Sequence, residues 1–278
     1  MPAGAPRALQ TTVSAGASMR REYEQTARMW LSGADVVYRS FASALVRATP
    51  LRLCGLRALD MGAGTGAVSR QLRAAGARPI ALDASHAMLR GAGRHLHDLD
   101  VVVADALRLP FVAHSFDATF AAFLLNHLSA PHLALVEATR VTRPGGAVMA
   151  MTFSAGDQHP VKVAVEDVAA RWGWQPPAWY HEQTNWAALT DSVSGLATEA
   201  RRAGLPTAKI SRFEMDVGAF SPGQLVRWRL GHAQLAGWAM ALPPGELRRF
   251  VAQAKAAVGH RPQLLKREVL VLSSHLPA

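Results

Sequence analysis

The sequence predicts an α/β fold, a doubly wound and mostly parallel sheet, and three observations predict it. Short, continuously apolar runs alternate with helix-period segments between residues 57 and 153, as strands buried on both faces do. Three of those runs end in an acid, at Asp60, Asp83 and Asp105. A glycine-rich turn, Gly62-Ala63-Gly64-Thr65-Gly66, follows the first run and opens a helix.

In order along the chain, residues 1–18 lack a periodic pattern and read as a flexible tail. Over 19–50, apolar side chains at helical spacing (Tyr23, Ala27, Trp30, then Val37, Phe41, Leu45) predict a helical segment broken at Ser32-Gly33. The core spans 51–155. Its first strand is the Ala58-Leu59 run, and a helix with Val68, Leu72 and Ala75 on one face follows until Gly76 ends it. A strand at 79–82, a helix near 86–94, a strand at 101–103 and a longer strand at 116–125 come next. A helix over 131–141, a Pro144-Gly145-Gly146 turn and a strand at 147–153 close the core. Beyond it, 156–278 opens with four of the seven tryptophans, Trp172, Trp174, Trp179 and Trp186, beside Tyr180 and His181. Helices are expected near 190–203, 221–240 and 245–258, and strands at 208–215 and 266–273.

Composition narrows the function. Half of the 278 residues are hydrophobic, so a sizeable core is available, and a single cysteine, Cys54, excludes an intrachain disulfide framework or a cysteine-rich metal site. No apolar run reaches the roughly 18–20 residues of a membrane span, and the first 18 residues lack the apolar stretch of a secretory signal. A cytoplasmic protein with no membrane partner is expected. The net charge of +10 is spread as +3, +2 and +5 over residues 1–50, 51–160 and 161–278, with no basic run longer than two. A nucleic-acid footprint is normally a stripe or patch, so no nucleic-acid partner is expected. No His or carboxylate cluster has metal-ligand spacing, and a metal-independent reaction is expected.

The glycine turn alone is ambiguous, because Gly62, Gly64 and Ala67 also satisfy the dinucleotide pattern of a nicotinamide-dependent oxidoreductase. Glycines let the backbone approach a ligand where a Cβ would clash. Asp60, two residues before the first glycine, is expected to face the ligand, where it would repel a pyrophosphate and attract a cation. Asp83, 23 residues further on, suits the two hydroxyls of a ribose, and Asp105 suits an exocyclic amine. Together the three acids fit a cationic nucleoside without phosphate.

Residues 57–153 resemble the class I S-adenosylmethionine-dependent methyltransferases, nearest the quinone-biosynthesis and small-molecule methyltransferases of bacterial secondary metabolism. The matching stretches are L-D-M-G-A-G-T-G from Leu59, A-L-D-A-S from Ala81, A-D-A-L-R-L-P-F from Ala104, S-F-D-A from Ser115 and E-A-T-R-V-T-R-P-G-G from Glu137. The resemblance implies a Rossmann-like fold of seven strands, with the helical N-terminal segment and an acceptor-binding insertion added to it. It implies S-adenosylmethionine as cofactor. By motif, Asp60, Gly62, Ala63, Gly64 and Gly66 would hold its methionine part, Asp83 and Ala84 its ribose, Asp105 and Ala106 its adenine. Ala121 and Phe123 would pass beneath the sulfonium, and Tyr23 would close over it.

The acceptor is expected to be a small, largely apolar or aromatic molecule, a natural-product intermediate, methylated on oxygen, nitrogen or carbon. His127 and His181 are the candidate bases. Trp172, Trp179, Tyr180, Trp186, Trp228 and His232 are the candidate acceptor-binding side chains. A cofactor-binding relative with a cyclising or regulatory role is the alternative.

Overall fold

The computed structural model describes residues 7–93, 98–157 and 159–278. Two helices lead, α1 (Arg7–Met29) and α2 (Asp35–Arg47), joined by a π-helical turn over Trp30–Ala34. The first half of the sheet follows as β1 (Arg57–Met61), α3 (Ala67–Ala74), β2 (Arg78–Asp83), α4 (His86–Gly93), β3 (Asp100–Val103), β4 (Phe116–Ala122), α5 (Pro131–Val141) and β5 (Thr142–Phe153). Then come α6 (Pro160–Arg171), α7 (Ala178–Ala187), α8 (Val193–Arg202), β6 (Lys209–Phe220), α9 (Pro222–Leu230), α10 (Ala233–Ala241), α11 (Pro244–Val258) and β7 (Gln263–His275).

The strands form one seven-stranded sheet in the order β3-β2-β1-β4-β5-β7-β6. The first five are mutually parallel, and β7 runs antiparallel between β5 and β6. Strand order reverses between β1 and β4, which opens a crevice at the carboxyl ends of the strands. Side chains alternate across the sheet with period two. Ala147, Met149 and Met151 enter the core packed by α2, α3, α6, α9 and α11, while Val148 and Ala150 enter the core packed by α5 and α8. Among the described residues no helix is long and apolar enough to cross a membrane.

Several elements differ from the sequence reading, which named no helix where α6 and α7 lie. The helix starts at Arg7, well inside the segment read as tail. Its alanine-rich stretch has no periodic stripe of its own, because the small Ala15 packs with Met19 against Trp179 and Trp186 of α7. Ser32-Gly33 widens the helix instead of breaking it. A Cβ on Gly33 would lie 2.2 Å from the Arg227 carbonyl oxygen, so the glycine serves the close crossing with α9. Pro144-Gly145-Gly146 lies inside β5 and makes the register shift against β4 between Phe116 and Ala118. The stretch 221–240 is two helices, separated at Gly231-His232.

Candidate functional site

A cavity of about 580 Å³ opens at the carboxyl ends of β1, β2, β3, β4 and β5 and is roofed by α1, α7 and α9. Its lining includes Asp60, Asp83 and Asp105 from three successive strand ends, together with Gly62, Ala63 and Gly64 of the turn.

The turn is held by those acids. Gly62 has φ +67°, and a Cβ there would sit 2.9 Å from Leu124 Cδ1. A side chain would therefore strain the backbone and strike the loop after β4. The Gly64 N–H donates to Asp83 Oδ2 at 2.8 Å, and the Ser85 N–H donates to Asp83 Oδ1 at 2.8 Å. Each carboxylate oxygen retains acceptor capacity for a ligand hydroxyl. Burial pushes the Asp83 carboxyl above its ordinary range, against these hydrogen bonds.

Asp60 is placed differently from the sequence expectation. It is 1% exposed, and its Oδ2 accepts from the Ser69 N–H at 2.8 Å and the Ser69 hydroxyl at 2.7 Å. It thus satisfies an early N–H of α3 as well as bordering the cavity. Burial raises its pKa to about 6, with the Ser69 bonds opposing. Asp105 is the exposed member, half open to solvent, accepting from the Leu107 N–H at 2.9 Å and 3.8 Å from Arg20 of α1.

The N-terminal helices are fastened to this wall by acids the sequence reading did not single out. Asp35, fully buried at the start of α2, accepts from Thr65 Oγ1 in the glycine turn and from Arg70 Nη2 at 3.0 Å. Glu24 of α1 accepts from the Ser85 hydroxyl at 2.7 Å and the Ala87 N–H at 2.9 Å, at the entrance to α4. Both bonds hold the Glu24 carboxyl below its usual range. Neither acid lies in a motif, and only the packed structure brings them to the turn.

The opposite wall is aromatic. Phe123, at φ +55° directly after β4, stacks on Phe153 with ring centroids 4.3 Å apart. Tyr38 meets the edges of Phe123, Phe41 and Phe153, at 5.1, 5.9 and 6.3 Å. His232 Nδ1 lies 2.8 Å from the Trp228 carbonyl, so it carries the proton. Its Nε2 is then an acceptor for the Tyr38 hydroxyl at 3.4 Å. Burial, with Arg229 second, holds His232 well below the ordinary histidine range. Burial raises the Tyr38 hydroxyl to about 12.

His127 borders the cavity on the 3-10 turn Leu125–His127, edge-on to Tyr23 at 5.7 Å. Its Nδ1 is buried without a partner, and burial lowers its pKa to about 4, so the ring is neutral at physiological pH. Burial also raises the Tyr23 hydroxyl far above its ordinary value.

Other sequence-named residues fall outside the cavity. His181 is exposed, because Tyr180 and Gln183 take the inward face of α7 and turn position 181 to solvent. Trp172 packs on Phe250 and donates to Gln253 at 2.7 Å, and Trp228 is a core side chain behind His232. Trp179 packs against α1, whereas Trp186 and Tyr180 border the cavity. Ala121 is buried within β4 and Ala122 lines the cavity in its stead. Gly66 has φ +77° and ends the turn as the N-cap of α3 without reaching the lining. Tyr23, Ala84, Ala106, Phe123 and His232 do reach it. Among the described residues no three His, Cys, Asp or Glu side chains are grouped to hold a metal ion.

The cavity has room and chemistry for a cationic nucleoside. A glycine cradle that a Cβ would fill lies against a row of three carboxylates, and no cation among the described residues pairs with Asp60 or Asp83.

Comparison with known proteins agrees with this geometry. A family model described as a methyltransferase domain matches residues 59–150. The chain is 33% identical over 200 residues to a demethylmenaquinone methyltransferase of Thermobifida fusca, covering 67% of this chain and 83% of that one. It is 43% identical over 100 residues to a demethylmenaquinone methyltransferase of Renibacterium salmoninarum, covering 36% of this chain and 42% of that relative, so the match spans less than half of that relative's length. A putative methyltransferase from an antibiotic biosynthesis pathway of Anabaena variabilis shares the fold, with a TM-score of 0.60 at 16% identity over 85% of this chain and 96% of that one.

Proposed function

The chain belongs to the class I S-adenosylmethionine-dependent methyltransferases, and from that premise we propose that it methylates a small ring-bearing molecule in the cytoplasm. The observation that carries the reading is the row of Asp60, Asp83 and Asp105 on one side of a cavity whose other side is aromatic. Asp83 would take the ribose hydroxyls, Asp105 and the Ala106 N–H the adenine, and Asp60 with the glycine turn the methionine part. When bound, S-adenosylmethionine supplies an electrophilic methyl group on a good leaving group.

The chain's own contribution is then alignment and exclusion of water. Phe123 and Phe153 line the acceptor end with apolar ring edges, and α1 and α7 cover it. His127 is neutral and borders the cavity, so its imidazole suits removal of a proton from the acceptor. The names of the relatives support a hydroquinone-like ring, and the natural-product setting expected from the sequence is a second source of such rings.

The test is calorimetric titration with S-adenosylmethionine, followed by detection of S-adenosylhomocysteine release over a panel of hydroquinones and phenols. Micromolar binding and release with at least one ring acceptor are expected. Folded protein that binds no S-adenosylmethionine overturns the reading.

A further inference from the structure

The acceptor end of the cavity is basic as well as aromatic. Lys162, Arg229 and Arg267 all border it, from α6, α9 and β7, on the far side of β5 from the acidic strand ends. Resting on the proposed methyltransferase function, we propose that these three cations form an anion subsite and that the methyl acceptor is a ring carrying one carboxylate.

The two arginines are built into the wall. Arg229 is 4% exposed and Arg267 9% exposed. Glu166 accepts from Arg229 Nη2 at 2.6 Å, and Asp157 accepts from Arg267 Nε at 2.8 and 3.0 Å and from its Nη2. Each carboxylate satisfies only part of its partner. Arg229 Nε and Arg267 Nη1 remain buried without an acceptor, a costly state for charged groups. Aromatic faces take up part of the charge, with the Arg267 guanidinium carbon 4.2 Å from the Phe153 ring centre and 5.1 Å from that of Trp228. Lys162, exposed on the first turn of α6, has no carboxylate within ion-pair distance among the described residues.

Charge count selects the ligand. Three cations against Asp157 and Glu166 leave one surplus positive charge, which suits a monoanion better than a phosphate dianion. The same surplus disfavours a cationic amine as acceptor, despite the aromatic wall. Its field reaches the neighbouring rings: Arg229, Arg267 and Lys162 all help keep His232 unprotonated, and Arg267 and Arg229 both favour an anionic Tyr38, opposing the effect of burial. His159, half-buried beside the same arginines, is also held low by burial first and Arg267 next, against the opposing pull of Asp157. Because Arg267 sits over Phe153 and Phe153 stacks on Phe123, a carboxylate at this end would leave its ring on the Phe123–Phe153 side.

The test compares 1-hydroxy-2-naphthoate with 1-hydroxy-2-naphthamide, titrated into protein saturated with S-adenosylhomocysteine. The acid is expected to bind about tenfold more tightly than the amide, the worth of one charge-assisted hydrogen bond. Lys162→Gln, at an exposed position, is expected to narrow that ratio severalfold while leaving S-adenosylhomocysteine affinity unchanged. Equal affinity for acid and amide, or no binding of either, overturns the subsite while the cofactor reading stands. Loss of S-adenosylhomocysteine affinity in Lys162→Gln would show that the cations serve the cofactor's own carboxylate, and overturns it too. Failure of the wild-type protein to bind S-adenosylhomocysteine removes the functional reading and the subsite together.

Discussion

The two ends of the cavity are opposites in charge and in origin. The acidic end comes from residues 60–106, where each functional side chain sits at a strand end a few residues from a turn. The basic and aromatic end gathers Tyr38, Phe153, Lys162, Tyr180, Arg229, His232 and Arg267 from seven separate elements and connections spread over most of the chain. A strand end is a local device, so its chemistry stays in one short motif. A pocket for a variable acceptor is assembled by whichever elements cross above the sheet, and its chemistry is distributed.

That contrast can be broken at the acidic end first. Asp83→Ala removes the acceptor for Gly64 and Ser85 along with the proposed ribose contacts. Two charge-assisted bonds are worth about 3 kcal/mol or more, so S-adenosylmethionine affinity by calorimetry should fall about a hundredfold or more. A loss under tenfold in a folded variant contradicts the assignment of this wall.

Asp35→Asn tests whether the seating of α2 depends on the turn. It leaves Arg70 facing a neutral amide in a buried pair, and breaking such a pair costs about 3–5 kcal/mol. Denaturant unfolding should show a loss of that order. If stability is unchanged, α2 is seated by its apolar packing and not by this buried pair.

Asp60 supplies a test with two signs. Its carboxyl titrates at about 6 in the folded protein, above its usual value. The stability this contributes is complete below about pH 4 and is lost as pH rises through 6, by about 3 kcal/mol. Affinity for a cationic ligand runs the other way and should rise as pH rises through 6. In Asp60→Asn both slopes should flatten between pH 4 and 6, read by chemical unfolding and by calorimetry. Unchanged slopes would mean that Asp60 keeps an ordinary carboxyl pKa.

The smallest effect is expected at His181. Its side chain is exposed and outside the cavity, so His181→Ala should change turnover less than twofold once an acceptor is in hand. His127→Ala should lower it by more than tenfold if the imidazole takes the acceptor proton. Comparable rates for the two variants would remove the basis for separating them.

Sequence and structure agree where short-range signals operate. The alternation of apolar runs and helices yields the parallel half of the sheet, and Asp60, Asp83 and Asp105 do share one cavity wall. Within that wall, Asp60 is hydrogen-bonded to Ser69, nine residues away in sequence and in the first turn of α3. Such a bond depends on how the helix returns over the strand. The tryptophan-rich stretch was misleading for a related reason. Aromatic side chains bury well in any core, and only the phase of α7 separates Trp186, at the cavity, from Trp179, packed against α1.

By itself the sequence determined the strand-turn-helix unit, its glycines and its row of acids, because backbone conformation at a tight turn is decided by the residues in it. The tertiary structure alone decided the roof and the acceptor end. Asp35 and Glu24 reach their partners across 30 and 61 residues, and Arg267 meets Asp157 across 110. Contacts at that separation leave no periodic trace, since any charged residue on a surface looks the same until folding buries it.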